Sequence, residues 1–179
     1  MTLRANITLR SIRTSPPVIV IVNNYLIPMH ILLNRYYGNP NITKSTFTAT
    51  IDGKTVLECE ARESAYCDYS APFPRHSFFC LPTGTHRCFI TSSAGNRFCL
   101  RVAGVSGHRG TKIYIENSAA QHHIKAVLLG YADPEVKPKW RRLIKQDELR
   151  ERFTELLSRQ IGEEISLEVR NESCVSEDV

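Results

Sequence analysis

The residues best suited to chemistry lie between positions 107 and 131, in the stretch GHRGTKIYIENSAAQHHIKAVLLGY. An arginine-glycine turn leads into an apolar run, and a polar loop with two adjacent histidines leads into a second apolar run. An arginine in such a turn could bind a carboxylate or phosphate through two hydrogen bonds, and a carboxylate beside an imidazole could exchange protons with it. The binding candidates in this predicted strand–loop–strand unit are Arg109, Glu116, Asn117, His122 and His123.

The histidine pair is a poor metal site. Adjacent residues on an extended chain point to opposite faces, so His122 and His123 cannot easily share one ion with Glu116. We therefore expect no metal and no other cofactor, and we expect solvent-exposed histidines. Weak acid–base chemistry by Glu116 with His122 is the alternative.

The six cysteines contain no C-x-x-C pair of the kind that builds zinc or redox sites. Several of them lie beside aromatic or aliphatic residues, as in FFCL, RCFI and RFCL. We therefore expect reduced thiols that serve as small core residues, with a disulfide framework as the alternative.

The elements that must position the loop are mostly short strands. STFTATI alternates and is followed by DGK and TVLECEA, which predicts a hairpin. CFITS, RFCLRVAGV, TKIYIE, KAVLLGY and EISLEV predict further strands. Apolar residues at helical intervals predict one amphipathic helix from about residue 145 to 160, with Leu149, Phe153 and Leu156 facing the sheet. The predicted fold class is mainly β (α+β), with one C-terminal helix and a final strand.

Length, charge and hydrophobic content limit the classes of function that this chain could have. With 179 residues, 42% of them hydrophobic, the chain can bury the core of one domain. The net charge of +5 is ordinary, and the basic run KPKWRRLIK is balanced at once by DELRERFTEL, so we expect no nucleic-acid partner. No segment reaches the roughly 20 apolar residues needed to span a bilayer, which predicts a soluble, cytoplasmic protein without a membrane partner.

The order of three motifs resembles that of DUF5675, a family of small bacterial and viral proteins. These motifs are the stretch from MHILLNRYYGNPN to VLECEARES, then CLPTGTHRCFI, then CLRVAGVSGHRGTKIYIEN. The resemblance covers about residues 29–170 and leaves 1–28 as an N-terminal extension and 171–179 as an acidic tail. It implies a compact β-sheet or barrel-like domain with the L,D-transpeptidase-like fold, acting on peptidoglycan stem peptides.

The resemblance also implies that the catalytic positions are degenerate. The family has a histidine after the apolar strand and a glycine-cysteine pair before the next strand. Here Glu116 stands at the histidine position, and Lys125 and Ala126 stand at the pair. Alanine cannot attack a carbonyl, so no catalytic residue is assigned. Glu116 is expected to end one strand and Ala126 to begin its neighbour, with both side chains facing one groove and Arg109 near its rim.

Three functions follow from these observations. The first is a non-catalytic relative that binds a peptide, glycan or protein partner in the former active-site groove. The second is an active cell-wall peptidase or transpeptidase with displaced catalytic residues. The third is a small basic accessory protein that contacts nucleic acid through residues 137 to 145. Fold resemblance alone cannot choose among them, because function depends on the site. We favour the first.

Overall fold

The computed structural model describes residues 27–39, 41–64, 80–93, 96–105, 110–115, 126–133, 135–137, 142–144 and 146–172. Its strands, in chain order, are β1 Met29–Gly38, β2 Thr43–Ile51, β3 Lys54–Glu63, β4 Gly84–Ser93, β5 Asn96–Ala103, β6 Lys112–Ile115, β7 Ala126–Gly130 and β8 Ile165–Asn171. A helix, α1 Gln146–Ser158, precedes the last strand. The prediction of a mainly β chain with one amphipathic helix and a closing strand is confirmed.

The strands form a closed barrel in the order β1-β2-β3-β7-β6-β5-β4-β8, and β8 returns to β1. Most neighbours are antiparallel, but β1 pairs with β8 in parallel, and so does β6 with β7. The β1–β8 pair joins residues far apart in sequence, from Met29 opposite Ile165 to Arg35 opposite Asn171. Closure gives every strand of this barrel two hydrogen-bonded neighbours.

The hairpin predicted at DGK is confirmed. Asp52 and Gly53 join β2 to β3 and both have positive φ angles, 51° and 69°. Two consecutive left-handed residues give a turn whose twist matches that of the strands, and Asp-Gly adopts it readily. The turn therefore sets the pairing of Ile51 with Lys54, and an irregularity between Ala49 and Thr50 then shifts the register so that Phe47 lies opposite Cys59.

One core fills the barrel because alternate strand residues point inward. Ile31 and Leu33 of β1, Phe47 of β2 and Leu129 of β7 are all fully buried in it. Such alternation needs one apolar face per strand, which is what the period-two pattern in the sequence provides.

The helix completes the core. Leu149, Phe153 and Leu157 are buried at i, i+4 and i+8, and the ring of Phe153 meets that of Phe47 edge-on, with centroids 6.2 Å apart and planes at 82°. Leu156 is only partly buried against the same core. The predicted helix and its packing are thus confirmed, with Leu157 completing the innermost line.

Among the described residues, no helix combines the length and apolar character needed to cross a bilayer. The first strand begins at Met29, whose N–H donates to the carbonyl of Glu164 at 3.1 Å. The predicted extension, residues 1–28, lies outside the described residues except for its last two positions. At the other end Asn171 still belongs to β8, and the Glu172 N–H donates to the Arg35 carbonyl at 2.8 Å.

Candidate functional site

Of the residues predicted to form the site, the structure places one. Ala126 begins β7 and is buried on the outer face of the barrel, where it packs with Cys99 and Tyr114. The other predicted site residues lie outside the described part of the chain: Arg109, Glu116, Asn117, His122, His123 and Lys125. The groove that Glu116 and Ala126 were expected to share therefore stays a prediction.

The register of β6 and β7 bears on that groove. The strands are parallel, so Ala126 lies opposite Lys112 at the start of β6, and Ile115 at its end lies opposite Leu129. Three strand residues cover roughly 10 Å. The chain therefore leaves β6 at the end of the strand that is farther from Ala126. In the described part of the sheet, the charged residue beside Ala126 is Lys112.

A shallow pocket opens on the outer face of the barrel beside β3. We name it the Arg62 pocket. It is lined by Tyr36, Lys44, Glu60, Ala61, Arg62, Ala132, Arg142 and Leu143. Its cavity volume of about 10 Å³ has room for about one water-sized group, so the pocket can take only the tip of a larger ligand.

A short segment, residues 142–144, forms one wall of the Arg62 pocket, and we name it the strap. The N–H of Tyr131 donates to the Ile144 carbonyl at 2.9 Å, and the N–H of Ile144 donates back to Tyr131 at 2.7 Å. This isolated bridge holds Leu143 over Gly130, where a Cβ would lie 2.7 Å from the Leu143 Cβ. Glycine at position 130 thus permits the close approach that builds the wall.

The charges in the Arg62 pocket favour an anion. Tyr36 donates a hydrogen bond of 2.5 Å to Glu60 Oε2, which occupies one oxygen of the carboxylate in the lining. Three cations share the lining, Lys44, Arg62 and Arg142. No described carboxylate forms an ion pair with Arg62 or Arg142. Guanidinium groups bind carboxylate and phosphate through paired N–H donors, so this lining can hold either.

A second polar cluster is buried inside the barrel. Arg35 Nε and Nη2 each donate to Glu63 at 2.8 Å, and both side chains are 1% exposed. The same carboxylate accepts the N–H of Leu81 at 2.9 Å, and Arg35 Nη2 donates to the Leu81 carbonyl at 2.5 Å. The Arg35–Glu63 pair holds the chain in place at Leu81, where it re-enters the barrel before β4. Because the two side chains bond to each other and to the backbone, we assign the pair a structural role.

Sequence reasoning did not single out Arg35 and Glu63. The signal was present in the alternation of each strand: Arg35 continues the inward series of Ile31 and Leu33, and Glu63 that of Cys59 and Ala61. A charged residue at an inward position on each of two strands of one barrel predicts a buried partner for each.

The outer face of β1 and β8 carries the residue types of a hydrolase triad. His30 Nδ1 lies 2.9 Å from Ser166 Oγ, and His30 Nε2 lies 3.5 Å from Glu168 Oε2. Both strands are paired along both edges, so their N–H groups belong to the ladders and cannot bind an oxyanion. Without such donors the cluster lacks what usually contributes most to acyl transfer.

The described cysteines are not poised to act as nucleophiles. Cys59, Cys80, Cys88 and Cys99 are buried free thiols, as predicted. Burial raises the pKa of Cys59 to about 12, and it does the same to the pKa of Cys88. At pH 7 a thiol with that pKa is ionised in on the order of one molecule in 100,000, and the thiolate is the nucleophile. The other two, Cys67 and Cys174, lie outside the described residues.

Metal binding finds no support in the described part of the chain, where no three His, Cys, Asp or Glu side chains group closely enough to hold an ion.

Comparisons with protein-family models, with curated proteins and with solved structures each find no match to this chain.

Proposed function

We propose that this chain is a non-catalytic binding protein, a degenerate relative of the DUF5675 family with its L,D-transpeptidase-like fold, and that the Arg62 pocket holds the carboxylate of a peptide or glycan fragment. One observation carries the proposal. Arg62 and Arg142 line the same pocket, and neither forms an ion pair with a described carboxylate. Two guanidinium groups beside a small cavity are suited to one planar anion.

The position of the Arg62 pocket supports its link to the former active site. Arg62 of β3 lies opposite Leu128 of β7, and Leu128 shares the outer face with Ala126, two residues along the strand. That separation is roughly 7 Å. An extended ligand anchored by its carboxylate at Arg62 would therefore pass over Ala126, where the family pattern has its cysteine.

The residue types support binding without turnover. Ala126 has no nucleophilic atom, and the thiols of Cys59 and Cys88 are both buried and protonated at neutral pH. A thiol-dependent mechanism needs an accessible thiolate within reach of a base. Neither of these two thiols supplies one, which disfavours the cell-wall enzyme with displaced residues.

The test is calorimetric titration with a short acetylated peptide that ends in D-Ala-D-Ala. The same peptide with an amidated C-terminus serves as the ligand control. We expect the free carboxylate to bind at least tenfold more tightly, because a charge-assisted bidentate contact contributes about 1.5–3 kcal/mol. Arg62→Gln should remove that preference.

The matched protein control is Arg159→Gln, which removes a cation from an exposed pair with Glu155 on the helix. It should leave the titration unchanged. Equal binding of the two peptides by the wild-type protein would refute the carboxylate site. Equal loss in Arg62→Gln and Arg159→Gln would show a general charge effect and would also refute it.

A further inference from the structure

A second surface lies on the outer face of three neighbouring strands, β4, β5 and β6, on the other side of β7 from Arg62. Arg87 and Phe89 of β4 are exposed, Phe89 by 41%, and Phe89 lies opposite the exposed Arg101 of β5. Arg101 in turn lies opposite Lys112 of β6. We name these four residues, Arg87, Phe89, Arg101 and Lys112, the β4–β6 face.

The β4–β6 face carries only one sign of charge. The strands Gly84–Ser93, Asn96–Ala103 and Lys112–Ile115 contain no aspartate or glutamate. On the neighbouring strand β8, Glu168 lies opposite Thr85 and accepts from Arg170 Nε at 2.6 Å. That carboxylate is already engaged, so it does not neutralise the face.

The cations of the β4–β6 face differ from four arginines elsewhere in the described chain. Arg35, Arg150, Arg159 and Arg170 each form an ion pair with a carboxylate. Within the described residues, Arg87, Arg101 and Lys112 form none. Lys112 Nζ donates to the Ser92 carbonyl at 3.2 Å, and the Arg87 guanidinium lies 5.1 Å from the centre of the Phe89 ring. Their charge is therefore available to a partner.

We propose that the β4–β6 face binds single-stranded nucleic acid. Proteins that bind single strands combine cations that follow the phosphates with an aromatic ring on which a base stacks. Here one ring lies on the sheet among three cations, and the Arg87 guanidinium makes a cation–π contact with it. The proposed surface differs from residues 137 to 145, which the sequence had suggested for such contact.

The composition of the face favours nucleic acid over an anionic membrane. Stable peripheral membrane binding combines basic residues with apolar side chains that enter the headgroup region. The β4–β6 face offers one, Phe89, flanked along its strand by Arg87 and Thr91. A duplex is disfavoured as well, because its bases are stacked on each other and cannot stack on the ring.

The test is fluorescence anisotropy of labelled oligothymidylate, twelve nucleotides long, titrated with the full chain at several salt concentrations. We expect saturable binding that weakens with salt. Arg101→Gln should lower the slope of log affinity against log salt by about 0.7, the share of one phosphate contact with a single strand. The charge-matched control Arg159→Gln should leave the slope unchanged.

The ring is tested by a conservative pair of variants. Phe89→Leu keeps an apolar side chain but removes the π face, and it should weaken binding roughly tenfold. Phe89→Trp should retain binding. Circular dichroism of each variant checks that the fold is intact. If Phe89→Leu failed to fold, the slope of Arg101→Gln would decide the question.

Four results would overturn the proposal. The first is no binding of oligothymidylate at low salt, and the second is binding that neither Arg101→Gln nor Phe89→Leu alters. The third is tighter binding of a twelve-base-pair duplex than of the single strand. The fourth is binding to phosphatidylglycerol vesicles in the absence of oligothymidylate binding, which would assign the face to a membrane surface.

Discussion

Arg35 and Glu63 form a bidentate ion pair inside the barrel, with both contacts at 2.8 Å and both side chains 1% exposed. Because the carboxylate also accepts the Leu81 N–H at 2.9 Å, the pair ties β1 and β3 to the chain three residues before β4. Burying such a charge pair costs desolvation free energy, and removing one partner destabilises the fold further because it leaves a buried charge without its counter-charge.

Removing one partner of this pair should therefore be strongly destabilising. We expect Glu63→Ala to lower the free energy of unfolding by about 3–5 kcal/mol, since it leaves the Arg35 guanidinium buried without its counter-charge. The measurement is equilibrium denaturation in urea. A double variant, Arg35→Met with Glu63→Leu, should lose less than the sum of the single losses.

The control for that prediction is Arg159→Ala, which breaks an exposed pair and should cost less than about 1 kcal/mol. If Glu63→Ala cost no more than this control, the buried pair would not hold the barrel together.

The helix should contribute to stability through one aromatic contact. Phe153 is 1% exposed and meets Phe47 edge-on, so Phe153→Ala should cost roughly 3–5 kcal/mol by deleting a fully buried ring. Thermal or urea unfolding gives the value. A cost under about 1 kcal/mol would mean that α1 lies loosely on the barrel.

Gly130 should be intolerant of a side chain. The obstacle is steric contact and not the backbone φ angle of Gly130. A Cβ at this position would lie 2.7 Å from the Leu143 Cβ and 3.3 Å from the Leu143 Cα. Gly130→Ala should displace the strap and lower stability by about 1–3 kcal/mol, the usual cost of overpacking. Removing the clashing Leu143 Cβ in the double variant Gly130→Ala with Leu143→Gly should recover part of the loss. No recovery would show that Leu143 is not the obstacle.

The buried thiols should make the protein sensitive to alkali. The pKa of Cys59 and that of Cys88 rise from the ordinary 9.0 to about 12, chiefly through burial. A raised folded-state pKa stabilises the fold below pH 9.0, and the contribution is lost as pH rises from 9.0 towards 12. Unfolding free energies measured between pH 8 and 11 should therefore fall, and Cys88→Ala should reduce that slope.

The same thiols should resist modification. In native protein at pH 7, iodoacetamide should leave Cys59 and Cys88 unlabelled, and both should react once urea unfolds the chain. Peptide mapping identifies the sites. Rapid native labelling of either residue would contradict the burial described here.

The local elements were predictable because each has a local signal. The Asp52–Gly53 turn predicts its hairpin, and the helical spacing of Leu149 and Phe153 predicts α1. The closure was not predictable, because the parallel pairing of Met29 with Ile165 joins residues at opposite ends of the domain. No periodicity within a segment specifies which strands become neighbours.

The Arg62 pocket was missed for the same reason. Arg62 and Glu60 are alternate outward residues of one strand, which the sequence predicts. Their meeting with Arg142 and Leu143 depends on the strap that folds back on Tyr131. The sequence instead drew attention to the loop around His122, which lies outside the described residues.

The most direct test of a binding protein without catalytic activity is the fate of the ligand in the saturated complex. The wild-type protein is incubated with the acetylated D-Ala-D-Ala peptide above its dissociation constant, and the mixture is followed by mass spectrometry. We predict that the peptide is recovered intact, and that Ala126→Cys alone forms no acyl adduct, because a thiol without a base is a weak nucleophile. Release of D-alanine or cross-linked product by the wild-type protein, abolished by mutation of one cysteine, would contradict the account.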